Sequence, residues 1–159
     1  MAVTIKTQEE IDTLREGGKR LASVLARVAD AVAPGVSAFE LDALAEHLII
    51  ESGGMPSFKG YRVAGSRAPY PATMCASVND EVVHTIPRKD KILREGDVVS
   101  LDIGMRYPGK PEVGSWKPEV GRKNLRRPAS VAQRSMITDM AITVGVGKVS
   151  SEVERMIRA

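Results

Sequence analysis

Gly96-Asp97-Val98-Val99-Ser100-Leu101-Asp102-Ile103-Gly104 is the stretch on which the reading of this chain turns. From Val98 onward it has a strand pattern, aliphatic on both faces and interrupted only by Ser100 and Asp102. Gly96 suits the positive φ of a turn, so Leu93 to Asp97 is expected to reverse the chain into that strand. A carboxylate inside an apolar strand is costly unless it is paired, hydrogen-bonded or bound to a cation. A second one stands in Ile137-Thr138-Asp139-Met140-Ala141, at the head of another strand expected over 139–144 and interrupted by Gly145 and Gly147. If the two strands pair as an antiparallel hairpin with both carboxylates on one face, Asp102 and Asp139 form half of a dinuclear metal site. The lone His84-Thr85-Ile86-Pro87 lies upstream of them.

Working back from Gly96, Thr73 to Val78 is a strand candidate, and Asn79-Asp80 supplies a turn. Val82-Val83-His84 is expected to form a second short strand that Pro87 ends. Residues 53–72 contain Gly, Pro and Ser in loop proportions. Two helices precede them. The first is expected over 7–32, with Thr7 and Glu10 in a capping-box pattern and Ile11, Leu14, Leu21, Leu25 and Val28 at helical spacing. Ala33-Pro34-Gly35 closes it, and Ser37 caps the second, which runs to about Ser52 with Leu41, Leu44, Leu48 and Ile49 on one face. His47 on that helix is expected at the surface. Forward of Asp139, Ser150 or Ser151 caps a last short helix with Val153, Met156 and Ile157 on its apolar side.

The hairpin carries an anomaly. Thirty-six residues separate Asp102 from Asp139, and within them Lys110-Pro111-Glu112-Val113-Gly114 recurs as Lys117-Pro118-Glu119-Val120-Gly121. Residues 109–137 hold seven Lys/Arg against two acids, which exceeds the net charge of +3 of the whole chain. The basic character therefore belongs to one segment, read as an inserted surface loop that arose by duplication. Clustered cations offer a weak case for RNA binding by 110–134, and Trp116 could stack on a base.

Composition sets the remaining bounds. The chain's 159 residues suffice for one domain with a real core, and with 4% aromatic residues that core must be built from Val, Ile, Leu, Ala and Met. No apolar run approaches a membrane span, and the N-terminus has no secretory pattern. Cys75 is the single cysteine, so an internal disulfide is excluded and a reduced, cytoplasmic setting fits.

In order and spacing, several of these segments together resemble the type I methionine aminopeptidases. They are Ile5 to Ile11, Ala33 to Ser37, Tyr70 to Asn79, His84 to Pro87, Gly96 to Gly104 and Thr138 to Ala141. The resemblance covers residues 1–108 and 138–159. It implies an α+β pita-bread fold of two pseudo-symmetric halves, of which residues 1–159 make a single incomplete domain. It also implies metal-dependent release of the initiator methionine from nascent polypeptide N-termini, with ribosome association and no membrane. Two divalent ions (Co, Mn, Fe or Zn) would be held by Asp102 and Asp139. His84 would contact the substrate near the scissile amide as the catalytic histidine, and Tyr70 and Cys75 would line the pocket for the methionine side chain.

Two departures qualify that expectation. The family's aspartates lie close together, as a hairpin requires, whereas here the insertion parts them. The family's remaining ligands, a histidine and two glutamates, have no match after Asp139, since Glu152 and Glu154 do not fit its later motifs. The 159-residue chain is therefore expected to be impaired or inactive, with weakly held or absent metal. The alternative is a non-catalytic half-fold that binds peptide N-termini or a protein partner. Thr85 after His84, where the family has a smaller residue, is a minor change. A related X–Pro peptidase fits less well, because the N-terminal region is short and the Cys75-to-His84 segment differs. Nothing beyond His84 suggests a nucleophilic dyad for Cys75.

Overall fold

A capping box opens each of the first two helices. Helix α1 (Gln8–Asp30) begins at Thr7, whose side chain accepts from Glu10 N while the Glu10 carboxylate accepts from Thr7 N. Helix α2 (Ala38–Glu51) repeats the device with Ser37 and Glu40. The computed structural model describes residues 5–62, 64–109 and 135–158. The direct repeat, Trp116 and nearly all of the expected basic loop lie outside the described residues. The loop's expected C-terminal end, residue 137, falls instead within a strand.

Four strands form one antiparallel sheet. They are β1 (Met55–Pro56), β2 (Met74–Val78), β3 (Val98–Tyr107) and β4 (Met136–Gly145). Strand β3 is the spine. It pairs with β1 and β2 along one edge and with β4 along the other. Helix α3 (Ser151–Arg158) follows β4 and rests against it, its first turn held by Ser150 through Val153 N to Ser150 Oγ at 3.3 Å.

Alternation sorts the sheet into two faces. Val99, Leu101, Ile103 and Met105 of β3 are fully buried, and with Met74, Ala76 and Val78 of β2 they meet the helices. Leu21, Val24, Leu25 and Val28 of α1 and Leu41, Ala45, Leu48 and Ile49 of α2 complete this aliphatic core. Ile11, expected on the buried stripe of α1, is 38% exposed. The helix instead approaches the sheet at Gly17, where an added Cβ would lie 3.2 Å from Tyr107 Cβ. The opposite face of the sheet carries Cys75, Ser77, Ser100, Asp102, Gly104, Asp139 and Thr143.

Three expectations are corrected here. Val82 to His84 is not a strand. Asn79 at φ 57° turns the chain, the Glu81 carboxylate takes Val78 N at 2.8 Å, and Pro87 has no N–H to give. A single backbone bond, Ala76 N to Thr85 O at 3.1 Å, ties the segment to β2. Within 53–72, Met55–Pro56 pairs with Arg106 and Met105 as β1, a strand too short for alternation to reveal. Strand β4 starts at Met136 rather than at 139, and β3 runs on to Tyr107, because the two pair over their full ten residues.

Candidate metal centre

The register of β3 against β4 places the two aspartates. Asp102 pairs with Ala141 and Gly104 with Asp139, so the carboxylates lie diagonally on one face. On the other side of β3, Asp102 pairs with Cys75. His84 enters from the irregular segment beyond β2. Its φ of 58° is a left-handed backbone that non-glycine residues seldom adopt, and its side chain is exposed. Tyr70 precedes β2, and its hydroxyl donates to Met74 O at 3.0 Å and lies 3.2 Å from Cys75 Sγ.

All five residues singled out from the sequence line one cavity of about 830 Å³. Phe58, Tyr61, Pro69, Pro71 and Ile86 add apolar side chains to its wall. Sequence reasoning missed Phe58 and Tyr61, which sit in a segment read only as loop. They reach the cavity because Ser57 N donates to Gly104 O at 3.0 Å, which hangs the loop on the centre of β3. Gly104 makes room for this approach. An added Cβ there would collide with Ser57 Oγ, come within 2.6 Å of Phe58 Cε1 and lie 3.2 Å from Asp139 Oδ2.

Electrostatics mark the cavity floor. Oδ1 of Asp102 is buried and has no hydrogen-bond partner. Burial, and then the neighbouring Asp139 charge, pushes the Asp102 carboxyl above its usual range, with His84 pulling the other way. Partial desolvation also raises Asp139, although it is exposed on the outer strand. Burial raises Cys75 and Tyr70 as well, so the thiol and the phenol stay neutral around neutral pH. Two partly desolvated carboxylates, one with an orphaned oxygen, fit a divalent cation held by oxygen donors. Among the described residues no three of His, Cys, Asp and Glu cluster closely enough to hold an ion.

Helix α2 adds a residue that the sequence did not flag. Asp42 is 8% exposed on the helix's apolar face, and its Oδ1 accepts from both Thr73 N and Met74 N at 2.9 Å. His47 on the same helix is exposed, as expected.

A family model described as Metallopeptidase family M24 matches residues 12–110. The chain belongs to this family. Membership in M24 implies divalent metal ions and accounts for two carboxylates on one face of the sheet, one of them with an orphaned oxygen. Among curated M24 relatives, the "Methionine aminopeptidase" of Aquifex aeolicus is 36% identical over 159 residues, 100% of this chain and 52% of the relative. The "Methionine aminopeptidase 1" of Mycobacterium tuberculosis is 37% identical over 150 residues, 94% of this chain and 44% of its own. The crystal structure of the methionine aminopeptidase from Thermotoga maritima superposes with TM-score 0.74 at 30% identity, covering 99% of this chain and 50% of that one. The Xaa-Pro dipeptidase from Bacillus anthracis shares the fold alone, with TM-score 0.59 at 17% identity. The α+β pita-bread expectation therefore holds, and the chain spans about half the length of the curated relatives it matches. No described helix is long and apolar enough to cross a membrane.

Proposed function

We propose that this M24 chain carries the metal-binding and methionine-binding half of a methionine aminopeptidase site, whose substrate is the N-terminus of a nascent polypeptide. The observation that carries the reading is the convergence of Asp102, Asp139, His84, Tyr70 and Cys75 on one cavity. Asp102 and Asp139 are the residues that would hold the ions. Divalent ions there supply Lewis acidity to a peptide carbonyl and to the attacking water. The donors are hard oxygens, which suit Mn and also admit Co, Fe and Zn, so they do not select one metal among the four.

The chain's own side chains have separate tasks. The cavity wall of Phe58, Tyr61, Tyr70 and Cys75 accepts an unbranched thioether, which gains from burial and from sulfur–aromatic contact. The neutral Cys75 thiol keeps that wall apolar beside the carboxylates. His84, held at the cavity rim by the Thr85–Ala76 bond, hydrogen-bonds the peptide next to the bond that breaks.

The test is metal-dependent release of methionine from Met-Ala-Ser by the 159-residue chain, with Mn²⁺, Co²⁺ or Fe²⁺ and with Asp102→Ala as control. Thermal stabilisation by the same metals gives a second readout. Release and metal stabilisation that both vanish in the variant support the reading. Stabilisation without release supports the site but moves the function toward the non-catalytic half-fold that binds peptide N-termini. Neither effect in the unmodified chain would refute it.

A further inference from the structure

We infer that Asp42 is a positioning residue for the apolar wall of the cavity, fixing where Cys75 and Tyr70 stand relative to the carboxylates. The inference deepens the reading of this cavity as the place where the first residue of a peptide is held. Asp42 itself does not line the cavity and reaches it only through the backbone.

The geometry is a clamp on one residue. Met74 is fully buried, its N–H donates to Asp42 Oδ1 at 2.9 Å, and its carbonyl accepts from Tyr70 Oη at 3.0 Å. A carboxylate on one helix and a phenol on the cavity wall thus hold the two ends of the residue that precedes Cys75. The next side chain, Cys75, is thereby aimed at the cavity, opposite Asp102 in the register. Thr73 N donates to the same Oδ1, so the entry to β2 cannot rotate without breaking two charge-assisted bonds. One turn further along α2, Glu46 binds Lys59 Nζ at 2.7 Å, which fastens the loop carrying Phe58 and Tyr61. One face of α2 therefore holds both the β2 side and the loop side of the wall.

A carboxylate on an apolar helix face would be an expensive way to add stability alone. Desolvation pushes its acidity the unfavourable way, against the two backbone bonds. What the arrangement provides is a fixed pair of acceptor lone pairs for the amide just before β2, Thr73 N, and for the strand's first amide, Met74 N.

Cys75 is the only thiol, so alkylation with iodoacetamide reports on this wall without requiring activity. Asp42→Asn keeps an acceptor oxygen in place, and Asp42→Ala removes it. Val146→Ala, a core truncation beyond the end of β4, controls for general loss of stability. Urea unfolding of each variant gives the fraction of labelling that global opening explains. The expected result is at least tenfold faster labelling of Asp42→Ala than its global stability predicts, with Asp42→Asn close to the unmodified chain and Val146→Ala tracking its own stability. Labelling that follows global stability in every variant would overturn the inference, as would Asp42→Asn behaving like Asp42→Ala. Protection of Cys75 by Met-Ala-Ser separates the two readings. Protection that weakens in Asp42→Ala while Asp42→Asn retains it supports positioning. Its absence in the unmodified chain counts against peptide binding, while the labelling rates still decide the role of Asp42.

Discussion

Gly104→Ala tests whether the cavity depends on the missing side chain at the centre of β3. The added methyl would collide with Ser57 Oγ and come within 2.6 Å of Phe58 Cε1. Overpacking of this kind costs about 1–3 kcal/mol. Replacing glycine in a strand returns about 0.5–1 kcal/mol through lost freedom of the unfolded chain. The net expectation is destabilisation of about 1 kcal/mol, and at most about 2.5 kcal/mol. Ser57→Ala removes the first obstacle and also removes a buried hydroxyl that has no hydrogen-bond partner. On its own it should be neutral or stabilising by up to about 1 kcal/mol. In the double variant the collision with Ser57 Oγ is gone while Phe58 Cε1 and Asp139 Oδ2 still flank the methyl, so the cost of Gly104→Ala should fall by about 1 kcal/mol. Urea unfolding of the four proteins, read as midpoint shifts at constant slope, closes the cycle. Effects that add to within about 0.3–0.5 kcal/mol would show that the collision with Ser57 is not what makes glycine necessary.

Three further outcomes follow from the same structure. Ser37→Ala should cost about 1–2 kcal/mol in urea unfolding, because the buried hydroxyl both caps α2 and binds Glu40, whereas the exposed Thr7→Ala should cost about 0.5–1 kcal/mol. Asp97 is held below its ordinary 3.8 by Asn79 and then by Arg94 N, with desolvation opposing, so its contribution is present above that pH and is lost as the pH falls through the folded value. Asp97→Asn should flatten the loss of stability as the pH falls below 3.8, and an unchanged acid limb would refute the assignment. Asp102→Asn should raise metal-free stability by about 0.5–1 kcal/mol, because it neutralises a half-buried carboxyl, while abolishing stabilisation by Mn²⁺ in a thermal shift.

The local parts of this fold were legible and the long-range parts were not. Thr7 with Glu10 and Ser37 before Leu41 mark both helix starts, because a capping box is written within four residues. Asp102 and Asp139 are conspicuous because a carboxylate among aliphatics is costly wherever the strand goes. Asp42 has the same profile on a helix, but its partners lie 31 and 32 residues away and no local pattern names them. Met55–Pro56 became a strand only through its pairing with Met105 and Arg106. Val82 to His84 failed in the opposite direction. Its β-branched pair suggested a strand, but the turn at Asn79 and the Glu81 side chain had already claimed the edge of β2.

The pairing of β3 with β4 also bears on how the chemistry is specified. In a tight hairpin the turn dictates which residues face each other. Here 28 residues intervene between Tyr107 and Met136, so no two-residue hairpin turn sets the phase. The phase is set by the ladder itself, by Ser100 meeting Thr143 at 2.8 Å and by Gly104 leaving space for Asp139. A slip of one residue would carry Asp139 through the sheet to the helix side while leaving nearly every backbone bond remade. The two carboxylates are thus a gauge of alignment. A chain that folds one notch out would retain its shape and content of sheet, and would differ chiefly in having no partner for Asp102.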